Sequence, residues 1–116
     1  MLEGVGFALA EGIDVVHECG VKPESIMLIG GGARSALWRQ MLADISGQTL
    51  DYCHGGDVGP ALGAARLAQQ ALDPDVTVPT PARVQRHQPD PARMAGYASR
   101  RATFATLYQQ LLPLMH

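Results

Sequence analysis

A chain of 116 residues that is 47% hydrophobic and 17% charged is long enough for one domain around a single core and too apolar to be a disordered segment. Nine basic and eleven acidic residues leave a net charge of -2 with no block of one sign, which argues against nucleic acid or anionic lipid as a partner. No window holds the roughly 20 uncharged apolar residues of a membrane span, and no basic stretch precedes an apolar run, so no membrane partner is expected and a cytoplasmic location is the default.

Leu2, Val5, Leu9, Ile13 and Val16 recur on one arc at helical spacing, with Glu3, Glu11, Asp14, His17 and Glu18 opposite, which predicts an amphipathic helix. No Ser, Thr, Asp or Asn stands ahead of Leu2 to cap it, so the sequence reads as one that begins within a helix. Phe7 falls among the acidic residues, either as a lone exposed ring or as the contact for a partner not yet identified. Cys19-Gly20 ends this helix. Ser25 to Ile29 has the length and apolarity of a buried strand and runs into Gly30-Gly31-Gly32. A second helix follows, with Ser35 as its cap, Gly47 as its stop, and Trp38, Met41, Leu42 and Ile45 on one face.

Thr49 to Cys53 reads as another strand, followed by the loop His54-Gly55-Gly56-Asp57-Val58-Gly59 and by Pro60 at a first helical position. In that third helix Ala61, Ala64, Ala65, Leu67, Ala68 and Ala71 share a face of small side chains that is expected to be packed. Residues 73–91, with Pro74, Pro79, Pro81 and Pro89, read as an extended surface connection. A last helix is predicted to run to about Leu112, with Tyr97, Phe104, Leu107, Tyr108 and Leu111 on one side and Pro113 as terminator.

The fold class is therefore α/β, in the order α-β-α-β-α-α, with two parallel neighbouring strands joined by a helical crossover. Two strands make a poor complete sheet, so the chain is expected to be part of a larger α/β domain. Stripping such a domain of neighbours exposes apolar surface and a strand edge, and self-association through the first helix around Phe7, as a homodimer, is the expected consequence.

Gly30-Gly31-Gly32 lies where a strand turns into a helix, so the backbone is open to close approach and the free amides of the helix end face an anion. The same glycines also suit a purely structural tight turn. Gly55 to Gly59 is a second loop at the same predicted sheet edge, where open α/β sheets bind ligands. Asp57 within it fits a helix cap better than a general base or metal ligand. His17, His54, His87 and His116 form no pair at metal-ligand spacing, so no metal site is expected. Cys19 and Cys53 are too far apart in sequence for a C-x-x-C site and are expected to be reduced, partly buried thiols. Neither they nor Ser35 and Ser46 stand in a nucleophile's context, so no catalytic residue is assigned.

Leu28-Ile29-Gly30-Gly31-Gly32-Ala33-Arg34-Ser35, then Trp38-Arg39-Gln40 and Ala43-Asp44, resemble the adenosine motif of the FGGY carbohydrate kinases. Gly56-Asp57-Val58-Gly59-Pro60-Ala61-Leu62-Gly63-Ala64-Ala65 and Tyr108-Gln109-Gln110-Leu111-Leu112-Pro113 are similar to the xylulokinase branch of that family. Glu3-Gly4-Val5 and Phe7 resemble the helix that precedes the motif. The resemblance implies that residues 1–116 are the C-terminal part of the second, nucleotide-binding domain, of the actin-like ATPase (ribonuclease H-like) fold. It implies that Gly30, Gly31 and Gly32 lie against ATP and that Arg34 and Ser35 border its adenine or ribose. Many relatives carry Asn where Ser35 stands, and many carry Glu where Val58 stands. The intact enzyme would use ATP with Mg to phosphorylate D-xylulose on its 5-hydroxyl. The family's phosphate-binding hairpin, sugar-binding residues and catalytic aspartate have no counterpart in this chain, so it is expected to be inactive and to require no cofactor by itself. The rival reading is a stand-alone interaction module, or one that binds a small anion, in which both glycine loops are structural turns.

Overall fold

The computed structural model describes residues 1–115; His116, one of the four histidines considered above, lies outside the described residues. Four helices, α1 (Leu2–Glu18), α2 (Ala36–Ser46), α3 (Gly59–Leu72) and α4 (Pro91–Leu111), accompany three strands, β1 (Ile26–Leu28), β2 (Leu50–Cys53) and β3 (Arg83–His87). Short 3₁₀ turns at Gly31–Arg34 and Gly56–Val58 lead into α2 and α3.

The sheet runs β1-β2-β3 and is mixed. β1 and β2 are parallel, with Ile26 opposite Leu50 and Leu28 opposite Tyr52, as the crossover through α2 requires. β3 is antiparallel to β2, with Leu50 opposite His87, Asp51 opposite Arg86 and Tyr52 opposite Gln85, and a register shift at Tyr52/Cys53. The expected order α-β-α-β-α-α with parallel strands is corrected here, because residues 73–91 contribute an edge strand as well as a connection. Its charged sequence, Arg83-Val84-Gln85-Arg86-His87, is what an edge strand carries to discourage pairing with another chain. Arg86 reaches Asp51 of the neighbouring strand through two hydrogen bonds of 2.7 Å.

Two apolar clusters meet at α2, one of them on the sheet. Leu42 and Ala43 of α2 pack on Leu50, with Ile26, Leu28 and Trp38 around them. On the other side of α2, Ile45 meets Phe7 and Ala10 of α1, with Tyr97 and Phe104 of α4 closing the cluster. Phe7 is only 6% exposed, with ring centroids 6.3 Å from Tyr97 and 5.7 Å from Phe104. The buried face of α1 is thus turned from the expected arc toward Gly6, Phe7 and Ala10. α4 covers Phe7, and its Arg100 and Arg101 pair with Glu3 and Asp14, while Glu11 and Glu18 stay exposed. Of the expected arc, Ile13 is partly buried, whereas Leu2, Val5, Leu9 and Val16 remain about half exposed.

Ser35 caps α2 by accepting from the Trp38 amide, and Gly47 closes it. Asp90 caps α4 by accepting from the Ala92 and Arg93 amides. α3 begins with proline in its first turn and has no buried residue, so the small-residue face expected to be packed is open. Leu107, Tyr108 and Leu111 of α4 are likewise exposed. Of the two thiols, Cys53 is buried and Cys19 is exposed.

Candidate functional site

β1 and β2 are parallel neighbours, so the turns that follow them emerge side by side at one sheet edge. The Gly30 amide donates to the Gly56 carbonyl at 2.7 Å and ties the two together. Gly30 has φ 95°, a backbone conformation that side chains with a Cβ rarely adopt. At Gly56 the constraint is space: a Cβ would meet the Leu28 carbonyl oxygen at 3.0 Å and the Tyr52 ring at 3.4 Å. A side chain at either position would therefore strain its turn.

Gly31 and Gly32 differ from both. A Cβ at Gly31 would meet nothing within 4 Å, and one at Gly32 would meet only the Trp38 ring at 3.5 Å. The protein's own packing therefore leaves this stretch of backbone open. Beside it lies a cleft of about 270 Å³ lined by Leu9, Leu28, Ile29, Gly32, Trp38 and Leu42, so Trp38 borders a pocket next to the triple glycine.

Arg34 leaves the first turn and reaches Asp57 of the second, with Nε and Nη2 donating to Oδ2 at 3.1 and 2.8 Å. The guanidinium holds the Asp57 carboxyl below its ordinary range, so Asp57 is an anionic partner for Arg34 and no general base. Its backbone neighbours in the short turn add to the effect. Ser35 contributes its oxygen to the α2 cap, which leaves its hydroxyl proton free to donate. Gly30, Gly31, Gly32, Arg34 and Ser35 thus form one continuous lip, with Asp57 fixing its arginine.

Arg39 lies within the motif and has no counterpart among its ligand-facing residues. It is 5% exposed and its Nη1 donates to the carbonyls of Ala33 and Arg34, at 2.6 and 3.2 Å, within the first turn. The available signal was position: Arg39 shares its helix face with Leu42 and Ala43, where a charge is costly unless every donor is used. His54 is exposed, and His87 is buried in contact with Arg39. Among the described residues no group of three His, Cys, Asp or Glu side chains is arranged to hold a metal ion, and no helix is long and apolar enough to cross a membrane.

Known proteins resemble this arrangement closely. The chain is 66% identical to the xylulose kinase of Escherichia coli over 99% of its own length and 25% of that protein's. It is 58% identical to the xylulose kinase of Klebsiella pneumoniae, over 99% of this chain and 24% of that one. The crystal structure of xylulose kinase from Rhodospirillum rubrum superposes with a TM-score of 0.76 at 26% identity, covering 99% of this chain and 24% of that one. The chain therefore spans about a quarter of the length of the relatives it matches. Residues 1–72, from α1 through both glycine turns to the end of α3, match the C-terminal domain of the FGGY family of carbohydrate kinases, and the chain belongs to that family.

Proposed function

We propose that the chain is the C-terminal, nucleotide-binding quarter of a xylulose kinase, which moves the γ-phosphoryl group of ATP, taken up with Mg, to the 5-hydroxyl of D-xylulose. The observation that carries this reading is the 66% identity to the E. coli enzyme, which runs through both glycine turns and on into α4. In this reading residues 1–116 are the last part of the second domain of an actin-like ATPase (ribonuclease H-like) fold. Residues 73–91 are a connection within it that also supplies β3.

The nucleotide lies along the lip formed by Gly30, Gly31, Gly32, Arg34 and Ser35. Open backbone at Gly31 and Gly32 lets it approach within van der Waals distance, and the apolar cleft beside Trp38 offers a surface for a base. Arg34, held by Asp57, borders the ribose or adenine, and the Ser35 hydroxyl is free to donate to it. Asp57 is committed to Arg34, so Mg is assigned to the nucleotide phosphates and to residues beyond this chain. The base that takes the sugar's proton is assigned there too. Phosphoryl transfer depends on positioning and charge stabilisation, so this wall alone is expected to give no turnover.

Self-association, as a homodimer, and a cytoplasmic location belong to the same reading. The contact expected around Phe7 is corrected, because Tyr97 and Phe104 of α4 already cover that ring; a second copy would instead cover Leu2, Val5, Leu9 and Val16, which are about half exposed. The rival reading, a stand-alone interaction or small-anion module, finds no support among the relatives.

Titrating the chain with ATP, AMP and inorganic phosphate, each followed by backbone amide shifts, tests the site. ATP and AMP are expected to move residues 30–35 and 55–60, while phosphate alone leaves them in place. Gly32→Val should abolish the response and keep the fold, because a Cβ there meets only Trp38 at 3.5 Å. Equal shifts with phosphate, or shifts elsewhere in the chain, would overturn the assignment.

A further inference from the structure

Arg39 carries five N–H donors into a nearly dry position on α2, where each unbonded donor would be costly. Its Nη1 donates to the Ala33 and Arg34 carbonyls of the first glycine turn, at 2.6 and 3.2 Å. Its Nη2 donates to Gln85 Oε1 at 2.7 Å, and its Nε donates to His87 Nε2 at 2.9 Å. The guanidinium also lies over the Tyr52 ring, 4.3 Å from the centroid. One side chain thereby joins the turn to β2 and β3. Gln85 and His87 both lie beyond residue 72, where the family match ends.

We propose that Arg39 is a positioning residue for the glycine turn, held by the neutral imidazole of His87, so that protonating His87 releases Arg39 and loosens the turn. The proposal rests on the reading of that turn as a nucleotide site only for its functional consequence; the coupling itself is a property of the chain without ligand.

The tautomer of His87 follows from its partners. Gln40 Nε2 donates to Asp44 Oδ1 and to the Gln88 carbonyl, at 2.9 and 2.8 Å, so Gln40 Oε1 is left to accept. His87 Nδ1, 3.1 Å from that oxygen, therefore carries the proton, and Nε2 presents its lone pair to Arg39. A second proton on Nε2 would set two donors and two positive charges against each other at the Arg39 contact. The charged groups facing His87 are Arg39 and Asp44 from α2. Asp44 is itself bonded to Arg93 and to the Asp90 amide of α4. Leu50, opposite His87 on β2, is uncharged. Burial and then Arg39 lower the pKa of His87 from its ordinary 6.5, and Asp44 opposes them. The release consequently begins on the acid side of neutrality.

Imidazole and backbone amide spectra of the full chain without nucleotide, between about pH 5 and 8, test the coupling directly. At neutral pH His87 is expected as the Nδ1–H tautomer, and the amides of residues 32–36 should shift with the same midpoint as its ring. In His87→Gln, whose side-chain oxygen still accepts from Arg39 but does not titrate, those amides should stay constant over the range. With ATP added, the wild-type chain should lose about tenfold in affinity on acidification, beyond the loss His87→Gln shows from the phosphate's own titration. Arg39→Lys should weaken ATP by a similar factor at neutral pH, since a compact ammonium does not span the turn and the strand together. Turn amides indifferent to the His87 midpoint, or an Nε2–H tautomer, overturn the proposal. If ATP fails to bind at all, the nucleotide reading falls, while the ligand-free titration still decides the role of Arg39.

Discussion

Truncating Phe7 to alanine measures the contact on which the helical layer depends. The ring is 6% exposed and stands between Ile45 of α2 and the Tyr97 and Phe104 rings of α4. Removing a buried Phe costs about 3–5 kcal/mol, the sum of lost transfer free energy and the cavity left behind. Each aromatic pair accounts for about 0.5–1.5 kcal/mol of that. A domain has about 5–15 kcal/mol in total, so Phe7→Ala should remove about a fifth of it or more. Urea titration followed by fluorescence of Trp38, the only tryptophan, reads the change close to the α1–α2 contact. Leu9→Ala is the control, because Leu9 is 51% exposed and should cost under about 1 kcal/mol. Equal, small effects of the two substitutions would return Phe7 to the surface and refute its burial between α2 and α4.

The Arg86 guanidinium lowers the Asp51 carboxyl from 3.8 to about 2, with burial opposing it. A depressed carboxylate adds stability that is complete above its unfolded value and is lost as pH falls through the folded one. The wild-type melting temperature should therefore fall between about pH 4 and 2, and Asp51→Asn should flatten that part of the profile. Gly56→Ala places a methyl 3.0 Å from the Leu28 carbonyl oxygen, so the second turn must shift; a loss of about 1–3 kcal/mol and a displaced Gly30 amide signal are expected. In a coupled assay with ATP and D-xylulose the chain alone should read as background, and turnover that scales with its concentration through repurification would contradict the division of labour proposed above.

Much of the sheet and both turns were legible because their signals are local. Ser25 to Ile29 contains β1, Thr49 to Cys53 contains β2, and Ser35 and Gly47 mark the ends of α2 through contacts within a few residues. β3 was missed because its inward residues, Gln85 and His87, bind Arg39 and its outward Arg86 binds Asp51, so no apolar alternation marks it. The partner that covers Phe7 is not legible for a related reason. Its acidic neighbours look like a solvated face until Arg100 and Arg101, nearly the whole chain away, are brought against them. The proposal for Gly30, Gly31, Gly32, Arg34 and Ser35 rests on glycine spacing and resemblance, whereas Arg39 needs β3 to exist before its donors have partners.

A graft tests the central claim most directly: the C-terminal quarter of the E. coli xylulose kinase is replaced by this chain, with which it is 66% identical, and phosphorylation of D-xylulose is measured against ATP concentration. The graft is predicted to keep kcat/KM within about tenfold of the parent, and Gly32→Val within it to raise the KM for ATP sharply or abolish turnover. A folded graft without ATP-dependent phosphorylation, or one indifferent to Gly32→Val, would contradict the assignment of this chain as the nucleotide wall of a xylulose kinase.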